Sequence, residues 1–156
     1  MKLQNTLKRL QKLHPKEIDL NLDRVKNLCK KLGNPQDSLK CVTIVGTNGK
    51  YSTIQAMRAI LKEANMNCNM YTSPHIQKIN ERFIYNNKEI SDDNLTKLLI
   101  EIEEVNAGEA ITYFEILTAA YFYYAKNFIE NINLIESGLF HRFDATNIIK
   151  DNLASV

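Results

Sequence analysis

The stretch VTIVGTNGKYST, residues 42–53, decides the fold of this chain. Apolar and β-branched residues run into a turn bounded by two glycines, and a lysine and two hydroxyl residues follow where an amphipathic helix begins. This order places backbone N–H groups, a helix N-terminus and the ammonium of Lys50 around one small volume, which suits a polyphosphate. The loop is shorter than G-x-x-x-x-G-K-[ST], because Ile44 stands at the first glycine and Tyr51 follows the lysine. The stretch predicts a strand, a phosphate-binding turn and a helix.

A strand, turn and helix without any ligand is the alternative. Gly46 and Gly49 would then serve only the turn, and Ser52 would serve only as the N-terminal cap of the helix. Short motifs of this kind often match by chance. The choice therefore depends on the segments that follow.

Composition indicates an ordinary globular protein. The 156 residues make about one domain, and 44% hydrophobic with 24% charged residues are usual for such a domain. A net charge of +2 is too small to favour nucleic acid or an anionic membrane as a partner. No apolar run approaches the roughly 18 residues of a membrane span, and no signal peptide is recognisable. Cys29, Cys41 and Cys68 are odd in number and far apart, so neither a disulfide framework nor a zinc site is predicted, and a cytoplasmic location is expected.

Hydrophobic periodicity predicts five helices. They cover residues 2–13, residues 22–32, residues 52–64, the segment between Ser91 and Gly108, and residues 112 to about 127. Asn21, Ser91 and Thr112 are expected N-caps, and Glu115 completes a capping box with Thr112. Gly33 is expected just past the end of the second helix. The third helix is expected to turn a set of apolar residues inward: Ile54, Met57, Ile60, Leu61 and Ala64.

Three short apolar runs predict buried strands at residues 41–45, 68–72 and 132–135. Residues 82–85 and 88–90 flank Asn86-Asn87 and predict a hairpin. Strands that alternate with helices predict the α/β class, with a parallel sheet flanked by helices. Ligands of such sheets bind beyond the carboxyl ends of the strands. The loops that begin at Gly46, Ser73 and Glu136 each follow a strand, so we expect them to converge on one site.

Several motifs in the same order resemble one family, the dihydrofolate synthase/folylpolyglutamate synthases, which are relatives of the Mur ligases. The matching segments are LHPKEIDLNLDRV (13–25), LGNP (32–35), GTNGK (46–50), YTSPH (71–75) with Glu81-Arg82, ITYFE (111–115), LIESGL (134–139) and RFDATN (142–147). The resemblance spans nearly the whole chain. Tyr51 departs from the family, which usually has glycine there, and Phe140-His141 replace a Gly-Gly pair.

The resemblance implies a P-loop NTPase-like ATPase domain of the Mur ligase type in truncated form. Residues 1–156 would be the N-terminal part of this ATP-binding domain. Within it, residues 1–40 would form a helical leader that contributes to the substrate site, and residues 41–156 a P-loop α/β core. The family's C-terminal glutamate ligase domain would be absent, so the chain alone is expected to be inactive.

The family reaction implies ATP and Mg²⁺ as cofactors. ATP phosphorylates a carboxylate, and the amine of L-glutamate then displaces phosphate, with dihydropteroate or a folate as the acceptor. Lys50 is the expected catalytic residue because its ammonium suits the β/γ-phosphate oxygens. The expected ATP contacts are Thr47, Asn48, Gly49, Lys50, Tyr51 and Ser52.

Ser52, Ser73 and Glu136 are the expected Mg²⁺ ligands, the last two by resemblance. Glu136 also suits the role physically, since it is a carboxylate directly after an apolar strand. The family's third ligand is a histidine beyond Val156, so His75 and His141 are interpreted as loop residues. Two alternatives stay open: Glu136 could pair with Arg142, and Ser73 could belong to a simple Ser-Pro turn.

The resemblance also implies a slot for the pterin ring. Its expected lining is Asp19, Leu20, Thr112, Phe114, Phe143, Asp144 and Ala145. A capping box would explain Thr112 and Glu115 without a ligand, and Phe114 could belong to the core. A Mur-type ligase acting on a peptidoglycan precursor and a non-catalytic nucleotide-binding module are the alternative functions.

Overall fold

The chain folds into a six-stranded mixed sheet with helices on both faces. The computed structural model describes residues 2–14, 21–138 and 142–156. The strands are β1 (Lys40–Ile44), β2 (Cys68–Tyr71), β3 (Phe83–Tyr85), β4 (Lys88–Glu89), β5 (Ile132–Glu136) and β6 (Asn152–Ser155). The helices are α1 (Lys2–Leu13), α2 (Asp23–Lys31), α3 (Lys50–Glu63), α4 (Asp92–Asn106) and α5 (Tyr113–Ala125), with 3₁₀ turns at Pro35–Ser38, Ile79–Arg82 and Lys126–Phe128. None of the helices in these ranges is long and apolar enough to cross a bilayer.

The strand order is β4-β3-β2-β5-β1-β6, and the four strands from β2 to β6 in that order run parallel. β5 lies between β1 and β2, with Glu136 in register with Ile44 and Ile135 with Tyr71. The carboxyl ends of these three strands therefore lie along one edge of the sheet. The predicted parallel core is confirmed. The predicted hairpin is confirmed too, because β3 and β4 add an antiparallel edge through a turn in which Asn86 and Asn87 both have positive φ.

One face of the sheet carries most of the core. The four helices α1, α2, α4 and α5 bury a continuous apolar cluster against it, including the fully buried Leu10, Tyr121 and Phe122. α1 packs against α4, and α2 packs against α5. The predicted leader helices thus share one core with the α/β part of the chain.

The other face is covered by α3, whose one fully buried side chain is Ile54. Met57 and Leu61 are partly buried against the same cluster. The expectation that Ile60 and Ala64 turn inward is wrong, since Ile60 is 69% exposed and Ala64 is exposed as well. Ile60 lies about 120° around the helix from Ile54. It would be buried only if a second element packed beside α3.

Most predicted helix ends are confirmed. The Ser91 hydroxyl accepts a hydrogen bond from the Asn94 N–H, and Thr112 and Glu115 form the expected capping box. Gly33 follows α2 with a φ of +81°. Asn21 does not cap at the predicted position: α2 begins at Asp23 after Leu22, although the Asn21 side chain accepts from the Asp23 N–H at 2.7 Å.

β6 was not predicted from the sequence. It pairs in parallel with β1, and the pairing ends with bonds from the Val156 N–H to Thr43 and from the Val45 N–H to Val156. The segment NLAS contains only one large apolar residue, Leu153, and that side chain is exposed. The strand therefore forms through backbone pairing with β1, which local sequence does not reveal.

A buried amide network joins β2 and β5 at their amino-terminal halves. The Asn133 side chain is 0% exposed, and its carbonyl oxygen accepts bonds from the Asn69 amide at 3.0 Å and the Tyr121 hydroxyl at 2.9 Å. Asn69 in turn accepts from the Asn86 N–H and the Asn131 amide. The network ties the two strands to α5 and to the hairpin.

We expect Asn133→Ala to lower the free energy of unfolding by about 2–4 kcal/mol, because two buried donors lose their acceptor and each such loss costs about 1–3 kcal/mol. Urea denaturation followed by circular dichroism measures it. Asn127→Ala is the control, since Asn127 is exposed and should change stability by less than about 0.5 kcal/mol. A loss below 1 kcal/mol for Asn133→Ala would show that the network contributes little.

Candidate nucleotide-binding site

The loop between β1 and α3 presents a row of unpaired backbone donors. Residues 45–49 are exposed, and the backbone N–H groups from Gly46 to Ser52 donate no hydrogen bond within the described part of the chain. The first paired N–H is that of Thr53, which donates to the Gly49 carbonyl at 2.9 Å. Free N–H groups at a helix N-terminus attract anions. The loop thus carries unpaired donors where the sequence predicts phosphate, and phosphate binding itself stays a prediction.

The helix begins at Lys50 with Gly49 as its N-cap, at a φ of +80°, and no side chain caps it. The alternative role of Ser52 as a mere N-cap is therefore wrong. Ser52 lies exposed in the first turn, and its hydroxyl forms no hydrogen bond with the described residues. The Tyr51 side chain is 56% exposed.

Lys50 folds back across its own loop. Its Nζ donates to the Gly46 carbonyl at 2.9 Å and lies 3.8 Å from Oε1 of Glu136. The ammonium is held between the phosphate loop and the end of β5. The ammonium therefore lies beside the loop that carries the unpaired N–H groups.

Glu136 connects the phosphate loop to the Ser73 loop. Its carboxylate is 6% exposed, and Oε2 accepts a hydrogen bond from the Ser73 N–H at 2.8 Å. Within the described ranges Glu136 forms no ion pair with Arg142, whose guanidinium instead lies 5.6 Å from the centre of the Phe143 ring. The structure confirms that the three strand-end loops converge. The alternative Glu136–Arg142 pair is absent from the described ranges.

The oxygen ligands available for a metal ion at this edge of the sheet are few. Among the described residues, no group of three or more His, Cys, Asp and Glu side chains is placed to hold a metal ion. A cation here would depend on Glu136, on the hydroxyls of Ser52 and Ser73, and on oxygens of the ligand. Mg²⁺ binds in this manner, through one or two protein oxygens plus phosphate and water.

Glu81 organises the Ser73 loop, a role that sequence reasoning missed. Its carboxylate accepts the N–H groups of three consecutive residues, Ile76, Gln77 and Lys78, at 2.8–2.9 Å. These backbone bonds hold the pKa of Glu81 below its ordinary value. Arg82 next to it donates through Nε to Nδ1 of His75 at 2.9 Å, so His75 is a loop residue as interpreted.

Asp144 performs a similar role for the loop after β5. One carboxylate oxygen accepts from the Gly138 N–H at 2.9 Å, and the other accepts from the N–H and the hydroxyl of Thr146. Thr146 also bonds to the hydroxyl of Ser137. Asp144 is buried, and both of its oxygens already have protein partners. The sequence-based expectation of a pterin contact did not include these partners. The sequence signal that could have indicated this role is the D-x-T spacing of an Asx turn.

The remaining described residues of the expected pterin slot are Thr112 and Phe114 at the start of α5, and Phe143 and Ala145 after β5. Thr112 is engaged in its capping box, and Phe114 stacks on Tyr71 with ring centres 6.1 Å apart. Burial raises the pKa of Tyr71, and the Asp144 carboxylate raises it further, so Asp144 lies within electrostatic reach of that ring. Phe143 is half-buried and Ala145 is buried. Asp19, Leu20, Phe140 and His141 lie outside the described residues.

Glu115, which completes the capping box, also receives Nε and Nη2 of Arg24 at 3.1 and 3.2 Å. This ion pair joins α2 to the start of α5. The alternative structural explanation for Thr112 and Glu115 is thus present in the molecule. A ligand role for Thr112 stays a prediction.

Comparison with known proteins places these features in a family context. No protein-family model matches the chain. The chain is 36% identical over 147 residues to a dihydrofolate synthase/folylpolyglutamate synthase of Haemophilus influenzae, a match that covers 94% of this chain and 33% of that protein. The solved structure of E. coli FolC in complex with DHPP and ADP has a TM-score of 0.89 at 33% identity, covering 97% of this chain and 37% of that one.

A bifunctional folylpolyglutamate synthase/dihydrofolate synthase from Yersinia pestis, complexed with AMPPNP and a Mn ion, gives a TM-score of 0.88 at 33% identity and the same coverage. The chain spans about a third of the length of each of these three relatives. The resemblance inferred from the motifs is confirmed for the N-terminal part of these proteins.

We expect Glu81→Gln to lower the melting temperature at pH 7, because a neutral amide accepts the three N–H groups less well than a carboxylate. The folded-state pKa of Glu81 is depressed, so its contribution is present above the unfolded value of about 4.5 and is lost as pH falls through the lower folded value. The gap between the parent and the variant should therefore close between pH 5 and the acid end of the series.

Thermal melts at half-unit pH steps measure that gap. Glu104→Gln on the exposed face of α4 is the matched control and should show no pH-dependent gap. A gap for Glu81→Gln that stays constant down to the lowest pH would contradict the role of its charge.

Proposed function

We propose that this chain, which matches the N-terminal third of the dihydrofolate synthase/folylpolyglutamate synthases, provides the phosphate-binding part of an ATP-dependent ligase that adds L-glutamate to dihydropteroate or a folate. In this proposal residues 1–40 are the helical leader at the substrate site and residues 41–156 the P-loop core. The proposal rests on the match to these proteins and on the geometry at the carboxyl edge of the sheet.

One observation carries the nucleotide part of the proposal. Within the described chain the N–H groups from Gly46 to Ser52 are unpaired, the Lys50 Nζ donates to the Gly46 carbonyl of the same loop, and the Glu136 carboxylate lies 3.8 Å from Nζ. The backbone of Thr47, Asn48 and Gly49 would cradle the β- and γ-phosphates, and Lys50 would leave the Gly46 carbonyl to contact their oxygens. The fixed positive groups then need little rearrangement as charge develops on transfer.

Ser52, Ser73 and Glu136 fit a magnesium ion by the chemistry of their oxygens. Glu136 keeps unshared lone pairs after it accepts the Ser73 N–H, and this bond holds the Ser73 backbone beside the carboxylate. When bound, Mg²⁺ would neutralise phosphate charge during transfer. Glu81 and Asp144 would position the two loops that carry Ser73 and Glu136.

For the acceptor, an aromatic slot is the relevant feature. Phe114 and Phe143 are both half-buried, so part of each residue remains accessible for contact with a flat ligand. Asp19, Leu20, Thr112 and Ala145 would complete the lining, and Asp144 would shape it through its bonds to Gly138 and Thr146. The acceptor's carboxylate would have to reach the space in front of Lys50.

We expect Lys50→Ala to weaken binding of ADP with Mg²⁺ at least tenfold, because a charge-assisted hydrogen bond contributes about 1.5–3 kcal/mol. Parent affinity is expected in the millimolar range, on the order of 4 kcal/mol. Isothermal titration calorimetry measures both. Lys62→Ala in the last turn of the same helix should change the affinity less than twofold, and equal affinity of Lys50→Ala and the parent would remove Lys50 from the phosphate site.

Tyr51→Gly should change the affinity for ADP less than threefold, because the exposed Tyr51 ring leaves the loop open. Stability should fall by roughly 0.5–1 kcal/mol, since glycine has the lower helix propensity. Calorimetric titration and urea denaturation of the same preparations give the two numbers. Tenfold tighter binding in the glycine variant would show instead that the ring obstructs the nucleotide.

A further inference from the structure

Asn48 and Gly49 form the one Asn-Gly pair in this sequence, and they lie in the phosphate loop. An asparagine that precedes glycine is especially prone to deamidation, because glycine has no side chain to hinder attack by its backbone nitrogen on the asparagine amide. Both residues are exposed in the structure. Solvent therefore reaches the groups that would react.

The nitrogen that would attack is free of hydrogen bonds. Within the described chain the Gly49 N–H donates to no acceptor, since the first paired N–H of this segment is that of Thr53. Gly49 is also the N-cap of α3, where the positive end of the helix dipole favours loss of a proton. A peptide nitrogen must lose its proton before it can act as a nucleophile.

The amide that would be attacked is unrestrained as well. The hydrogen bonds inside the loop join Lys50 and Thr53 to the carbonyls of Gly46 and Gly49, and none in the described chain involves the Asn48 side chain. A methyl group added at Gly49 would meet no atom within 4 Å. The space beside the Gly49 backbone is therefore open.

Asn65 is an exposed asparagine in the opposite situation. It follows α3 with a φ of +56°, and the side chain of the next residue, Met66, hinders attack. The Met66 N–H donates to the Leu61 carbonyl at 2.8 Å, so its nitrogen is already engaged. Asn48 thus differs from Asn65 in the glycine that follows it and in the free N–H of that glycine.

We propose that Asn48 is a site of spontaneous deamidation, and that this modification places a negative charge in the phosphate loop. The Gly49 nitrogen loses its proton to hydroxide and bonds to Cγ of Asn48, the Cγ–Nδ2 bond breaks, and the amide leaves as ammonia. The resulting succinimide adds water and opens to aspartate or to isoaspartate. No group is oxidised or reduced, and water is the only co-reactant consumed.

Either product would oppose a phosphate ligand. The new carboxylate would lie among unpaired N–H groups that suit an anion, and isoaspartate would also lengthen the main chain just before the N-cap of α3. A bound phosphate that accepts the Gly49 N–H would in turn slow the reaction. These consequences for nucleotide binding rest on the proposed function, whereas the deamidation itself does not.

Mass spectrometry of the intact chain after storage in buffer tests the reaction. Trypsin releases residues 41–50 as one peptide, which should gain the mass of an amide-to-acid exchange and become a substrate of protein isoaspartate methyltransferase. A fresh sample digested in parallel corrects for reaction during digestion. The rate should rise between pH 6 and pH 9, because the attacking nitrogen must be deprotonated.

Two controls locate the reaction. The peptide 63–78, which contains Asn65, should stay unchanged over the same period. Asn48→Gln should abolish the mass gain in peptide 41–50, since its longer side chain closes a less favourable ring. An unchanged peptide 41–50 in the stored parent chain, or equal rates at Asn48 and Asn65, would overturn the proposal and leave the proposed function untouched.

Calorimetric titration with ADP and Mg²⁺ measures the consequence. Asn48→Asp and the stored chain should both bind at least tenfold more weakly than the fresh chain, whereas Asn65→Asp, an equal charge change beyond the other end of α3, should alter the affinity less than twofold. Equal affinity of the fresh chain and Asn48→Asp would overturn the effect of the charge. Deamidation at Asn48 in a chain that does not bind ADP even when fresh would support the modification and contradict the proposed function.

Discussion

The hydrogen bond from the Ser73 N–H to the Glu136 carboxylate is the contact on which the candidate site depends. β5 lies between β1 and β2, so Glu136 stands at the middle of the carboxyl edge, with the Ser73 loop on one side and Lys50 on the other. A nearly buried carboxylate needs partners on both sides, because desolvation of an unpaired charge is costly. The backbone donor and the ammonium meet this need, and they also join the loops of three separate strands.

Side-chain carboxylates accept backbone N–H groups from two of the three loops at this edge, and the third loop differs. Glu81 takes up three N–H groups of the Ser73 loop, and Asp144 takes up those of Gly138 and Thr146. These N–H groups of the two loops therefore have their partners within the protein. Within the described chain the loop from Gly46 to Ser52 keeps its N–H groups unpaired, which is consistent with the proposed binding of an external anion.

The two faces of the sheet differ in how completely they are covered, and this difference explains where sequence reasoning succeeded. On the face packed by α1, α2, α4 and α5, most of the periodic apolar residues are buried, but Leu13 at the end of α1 is 57% exposed. On the other face α3 has no neighbouring helix in the described chain, so Ile60 is exposed although it fits the apolar pattern. Periodicity reports which side of a helix is apolar, but not how wide a surface its surroundings cover.

By itself, the sequence determined the features that depend on neighbouring residues. The phosphate loop between β1 and α3, the Asn86-Asn87 hairpin and the caps at Ser91 and Thr112 all follow from short-range chemistry, because their hydrogen bonds join residues a few positions apart. Only the tertiary structure decided that β6 pairs with β1, that Asp144 bonds back to Gly138, and that Glu136 accepts from Ser73 rather than pairing with Arg142. The β6 and Glu136 contacts join residues about 60 to 110 positions apart in the chain. Asp144 accepts hydrogen bonds from N–H groups of its own loop. Strand order and burial determine which of these contacts form, and no local segment specifies either.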